Sequence, residues 1–121
     1  MYRTVTRLLG LTPTYEAVEG QVAAAPGDVT VLDHTATPRR TDEGTHIAVR
    51  VRVRNDGTQP RTVPVRVRFY RARWLGRREA ALDPVSRATD RLAPGEVGTT
   101  DVGLRTSGAV SRYEVLVGHD R

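Results

Sequence analysis

His46-Ile47-Ala48-Val49-Arg50-Val51-Arg52-Val53-Arg54-Asn55-Asp56-Gly57, followed by Thr62-Val63-Pro64-Val65-Arg66-Val67-Arg68-Phe69-Tyr70, decides the fold. In the first run Ile47, Val49, Val51 and Val53 alternate with Ala48, Arg50, Arg52 and Arg54. In the second, Val63, Val65, Val67 and Phe69 alternate with Thr62, Pro64, Arg66 and Arg68. A period of two over long runs of β-branched residues means two half-buried strands. A helix of period 3.6 would scatter the arginines around every face. The turn between the runs is informative through its parity. A two-residue Asp56-Gly57 hairpin would pair Asn55 with Thr58, and hence Val51 with Thr62, setting apolar residues opposite polar ones on one face. A one-residue slip flips every side chain. The connection is therefore a longer loop, or an arch from one sheet to a second.

Outward from this core, other strands follow. Asp28 to Leu32 carries Val29 and Val31 on one face, and residues 33 to 44 read as a polar connection. Beyond Tyr70, Gly76 suits a hairpin turn, and Val85 to Leu92 is a weak strand. Ala93-Pro94-Gly95-Glu96 is a turn with proline at the first central position and glycine where φ is positive. Val97 to Arg105 and the last strand, with Tyr113, Val115 and Val117 alternating, complete six or seven short strands. This pattern predicts an all-β antiparallel sandwich over residues 28–121. Residues 1–27 form an N-terminal arm of different character. There Leu8, Leu9, Leu11, Tyr15, Val18 and Val22 fall at roughly helical spacing, Gly20 weakens a helix, and Pro26-Gly27 ends it. A short helical arm, or a loosely docked one, is expected.

The chain has 121 residues, no cysteine and a net charge of +5. One domain fits that length, burying roughly two-thirds of its unfolded surface. Disulfides and thiolate metal sites are excluded. Aromatics are 5% of the residues, so aliphatic side chains must fill the interior. All 19 basic residues are arginine. That is either the codon usage of a GC-rich genome or selection for forked contacts to phosphate and carboxylate. No apolar run approaches the ~20 residues of a membrane span, and Met1 to Leu11 is a poor signal peptide. A cytoplasmic location is expected.

The strand ending in Val53-Arg54-Asn55-Asp56-Gly57, the strand ending in Val67-Arg68-Phe69-Tyr70, Leu92-Ala93-Pro94-Gly95-Glu96 and Tyr113-Glu114-Val115 together resemble the FxLYD and CARDB-like prokaryotic Ig-like domains. The resemblance covers residues 28–118 and would make 28–36 a first strand and 46–54 a second. Arg71 stands where that group usually has aspartate. The resemblance implies an Ig-like fold and a non-enzymatic adhesion or interaction module, often at a cell envelope.

No phosphate loop, nucleophile elbow or zinc spacing is present. His34, His46 and His119 are isolated in sequence, without a partner at metal-ligand spacing, and read as surface or strand-end histidines. No catalytic, cofactor or metal residue is assigned. The candidate protein-contact site is Tyr70, Arg71, Arg73, Trp74, Arg77 and Arg78, where exposed aromatics lie among arginines. Trp74 could equally close the sandwich end over Leu75 and Leu82. The candidate polyanion site is Arg50, Arg52, Arg54, Arg66 and Arg68. In one sheet these would form a single basic face suited to nucleic acid. Across an arch they would lie on opposite sides, where Asp101 or Glu114 could neutralise them. A protein partner is the first expectation and nucleic acid the alternative.

Overall fold

The computed structural model describes residues 18–71 and 80–118. Eight strands follow in order: β1 (Glu19–Ala24), β2 (Val29–Thr41), β3 (Gly44–Asn55), β4 (Pro64–Arg71), β5 (Ala80–Ala81), β6 (Val85–Ala88), β7 (Val97–Thr106) and β8 (Val110–Val117). A three-stranded sheet runs β2-β3-β7. It faces a five-stranded sheet ordered β1-β8-β4-β5, in which β6 also pairs with β4. No helix occurs among the described residues, and none there is long and apolar enough to cross a membrane.

The alternation in β3 and β4 builds the interior. Ile47, Val49, Val51 and Val53 from one sheet meet Val65, Val67, Phe69, Val115 and Val117 from the other, with Val63 at the end of the arch. Burial of these aliphatic faces, at roughly 25 cal/mol per Å² of apolar surface, is the main drive for the two sheets to close on each other. Strands β3 and β4 lie in different sheets, so the connection is the arch. Asn55 holds it. Its Nδ2 donates to the carbonyls of Gln59 and Leu92 at 2.9 and 3.0 Å, and its Oδ1 accepts from the Gly57 amide at 2.9 Å. The side chain is fully buried. The Asn55 carbonyl accepts from Gly95 N at 2.6 Å, so the arch is tied to the Ala93-Pro94-Gly95-Glu96 turn. That turn closes through Glu96 N to the Ala93 carbonyl at 2.9 Å, with Gly95 at φ +82°, as a type II turn requires.

Three expectations are corrected. Residues 33–44 are not a polar connection. Strand β2 continues to Thr41 and turns through Asp42-Glu43 into Gly44. The alternation of β2 is concealed because a register shift between Val31 and Asp33 moves the inward positions from Val29 and Val31 to His34, Ala36 and Pro38. Those inner residues are small or polar, and proline is tolerated because β2 is an edge strand. The helical expectation for the arm fails over residues 19–24, which form β1; residues 1–17 lie outside the described residues. Strand β1 also raises the count from six or seven to eight, and it pairs in parallel with β8 in an otherwise antiparallel structure. The last strand is thus covered along one edge by residues of the N-terminal segment.

Glycine makes that docking possible. Gly20 lies opposite Tyr113, and a Cβ built at Gly20 would overlap the Tyr113 ring. The ring passes over Gly20 toward β2, where its hydroxyl lies 2.6 Å from His34 Nδ1 and the two rings meet edge to face at 5.6 Å. His34 is therefore a half-buried contact between the two sheets rather than a surface histidine.

Candidate functional site

The arch places the two arginine rows on opposite outer faces. On the three-stranded sheet each arginine of the central strand has a carboxylate partner: Arg50 with Asp101 at 2.9 Å, Arg52 with Asp33 at 2.9 Å and Arg54 with Asp56 at 2.6 Å. The partners are dictated by register. Asp33 lies beside Arg52 on β2, and Asp101 beside Arg50 on β7. The Arg50 guanidinium holds the Asp101 carboxyl below the usual range, and bonds from Arg54 and Thr30 do the same for Asp56. Arg61, at the arch, pairs with Asp28 at 2.6 Å.

The other outer face is different. Arg66 and Arg68 of β4 point outward and make no ion pair among the described residues. Glu114 lies opposite Arg68 across the ladder, but its carboxylate is taken elsewhere. Tyr70 Oη donates to Glu114 Oε1 at 2.8 Å, and Arg112 Nη1 lies 3.5 Å from Oε2. The Arg112 guanidinium stacks on the Tyr70 ring, 3.8 Å from its centre, a cation–π contact. The Tyr70 hydroxyl, with further bonds from Gln21 and Arg112, holds the Glu114 carboxyl below its ordinary range. Asp101 thus pairs with Arg50 of the first row, with Asp33 and Asp56 meeting the other two, whereas Glu114 serves Tyr70 and Arg112 and not the second row.

Of the candidate contact residues, Tyr70 and Arg71 are described and lie at the end of β4. Tyr70 faces outward, as its parity predicts. Arg71 donates to Ser107 Oγ at 3.5 Å, toward the β7–β8 turn. Arg73, Trp74, Arg77 and Arg78 lie outside the described residues, as does His119. Sequence reasoning missed Arg112, Glu114 and Gln21 as neighbours of Tyr70. Only the pairing of β4 with β8 and of β8 with β1 brings them together. Among the described residues no group of three or more histidine and carboxylate side chains could hold a metal ion.

No family model, no curated protein and no solved structure matches this chain.

Proposed function

We propose that this protein is a non-enzymatic, Ig-like interaction module that binds a protein partner through the outer face of its five-stranded sheet. The observation that carries the reading is the difference between the two outer faces. One has its central arginine row neutralised internally. The other combines two arginines, Arg66 and Arg68, that have no carboxylate partner among the described residues, with Tyr70 held between Glu114 and Arg112. Fixed aromatics flanked by arginine are the side chains that most often anchor protein interfaces. The resemblance to FxLYD and CARDB-like domains supports the same reading, since those are interaction modules. The strand order also agrees with it: β2-β3-β7 facing β8-β4 matches the first, second and fifth strands of an Ig-like sandwich facing its sixth and third.

Polyanion binding is the competing reading. It draws on Arg66 and Arg68, and loses Arg50, Arg52 and Arg54 to their carboxylates. Affinity capture with wild type, Tyr70→Ala, Arg66→Gln/Arg68→Gln and Arg52→Gln separates the two. A partner protein retained by wild type and by Arg52→Gln, but lost with Tyr70→Ala, is the expected result. Retention indifferent to both β4 variants would refute the assigned face. Retention on an oligonucleotide that falls with salt, with a log–log slope of about one per phosphate contact, and that flattens in Arg66→Gln/Arg68→Gln would transfer the face to polyanion binding.

A further inference from the structure

At the tip of the β2–β3 hairpin a concave surface of about 570 Å³ is lined by residues that include Arg39, His46 and Arg105. These three form one rung across the three-stranded sheet: Arg39 is opposite His46, and His46 is opposite Arg105. All occupy outward positions: Arg39 and Arg105 are exposed and His46 is half-buried, while Ile47 and Val102 on the strands of His46 and Arg105 are buried. With strands ~4.8 Å apart, the two arginine backbones are ~10 Å apart. Both guanidiniums can then converge above the central imidazole. The His46 ring leans over Gly103, where a Cβ would come within 3.8 Å of Nε2.

The rung lacks the compensation found further along the same face. Arg50, Arg52 and Arg54 each have a carboxylate, whereas Arg39 and Arg105 have none among the described residues. Basic groups directly across a ladder repel one another, so their juxtaposition calls for an anion. The floor beneath is fixed. Thr45 Oγ1 donates to the Gly108 carbonyl at 2.6 Å, and Gly44, at φ +136°, packs so closely on Thr106 that a Cβ would overlap its carbonyl. Hairpin tip and β7–β8 turn are thereby one wall.

We infer that this rung binds a small free oxyanion of the phosphate class, held in the forks of Arg39 and Arg105 with His46 as the central donor. Paired guanidinium forks match the oxygens of such an anion. Asp42 and Glu43 line the same concavity. Their charge disfavours a long polyanion passing over the rim and leaves room for one compact anion. The site is separate from the β4 face proposed above, so the two readings stand or fall apart.

The test is a titration of the full chain with inorganic phosphate at constant ionic strength, followed by the amide and His46 ring resonances. Saturable shifts confined to residues around 39–46 and 103–107 are expected. Arg39→Gln/Arg105→Gln, two exposed substitutions, should weaken binding by about tenfold or more without changing the thermal midpoint. Arg66→Gln/Arg68→Gln on the opposite face should leave it unchanged. Absence of saturable shifts overturns the inference. So does an equal response to chloride, an equal loss in the β4 variant, or binding undiminished in the Arg39/Arg105 variant, each of which would mark general counterion attraction.

Discussion

Asn55 illustrates how one residue can govern a connection. Its buried side-chain amide donates to two carbonyls and accepts from one backbone amide. Asn55→Ala should cost about 2–3 kcal/mol, since three hydrogen bonds are lost at about 1 kcal/mol each. A loss below ~0.5 kcal/mol in equilibrium denaturation would refute this role. At β3, Val51→Asp should abolish folding by burying an unpaired charge, whereas Arg52→Gln, breaking one exposed pair, should cost less than ~1 kcal/mol. Tyr113 adds a dependence on pH. Burial raises its phenol above the usual value. The folded state thus retains a proton that the unfolded chain releases, so stability is full below about pH 10 and declines as pH rises through the folded value. Tyr113→Phe should be destabilised near neutrality, by about 1 kcal/mol for the lost His34 bond, and the gap from wild type should narrow in alkali. A gap that widens with pH contradicts the burial argument.

At the scale of elements, β1 depends on a missing side chain and the turns depend on φ. Gly20→Val forces a side chain into the Tyr113 ring. Strand β1 should detach, its amides should lose protection from hydrogen exchange, and the freed edge of β8 should promote self-association. Retained protection at residues 19–24 would refute the docking. Two other glycines give a cleaner comparison, since a Cβ would meet nothing at either. Gly95 has φ +82°, whereas Gly27 is not among the positive-φ glycines. Gly95→Ala should therefore cost about 1–2 kcal/mol through the left-handed backbone alone. Gly27→Ala should be neutral or stabilising by up to ~1 kcal/mol. Equal effects in thermal denaturation would remove backbone conformation as the cause.

Across the whole molecule the arch distributes charge. Five arginines, Arg50, Arg52, Arg54, Arg66 and Arg68, would form one basic surface if β3 and β4 were neighbours; instead the two sheets separate them, and Asp33 of β2, Asp101 of β7 and Asp56 of the arch meet one row. Asp56, Asp101 and Glu114 all have carboxyls held below their usual range. Their contribution is present above the ordinary carboxylate values and is lost as pH falls through the lower folded ones, from about pH 4 downward. Glu114→Gln should accordingly be less stable than wild type near neutrality, with the difference shrinking below about pH 4. A difference constant down to strong acid would show that the charge on Glu114 does not matter.

The two alternating runs and the Ala93-Pro94-Gly95-Glu96 turn were legible because local covalent geometry sets their periodicity and φ. The failed pairing of Val51 with Thr62 likewise excluded a tight hairpin, since inward parity is a local property, and left a longer loop or an arch. Strand β2 was illegible: its bulge shifts the inward parity, and its inner residues, His34, Ala36 and Pro38, are not a hydrophobic series. Strand β1 was illegible because six residues, five of them exposed, with weak apolar content become a strand only when β8 offers a ladder. Tyr70 could be placed on an outward face from the sequence alone. Its partners Arg112 and Glu114, more than 40 residues away, and the rung of Arg39, His46 and Arg105 could not. Sequence by itself determined which residues face inward along the two runs; tertiary structure alone decided which outward charges meet, because that depends on ladder register between strands far apart in the chain.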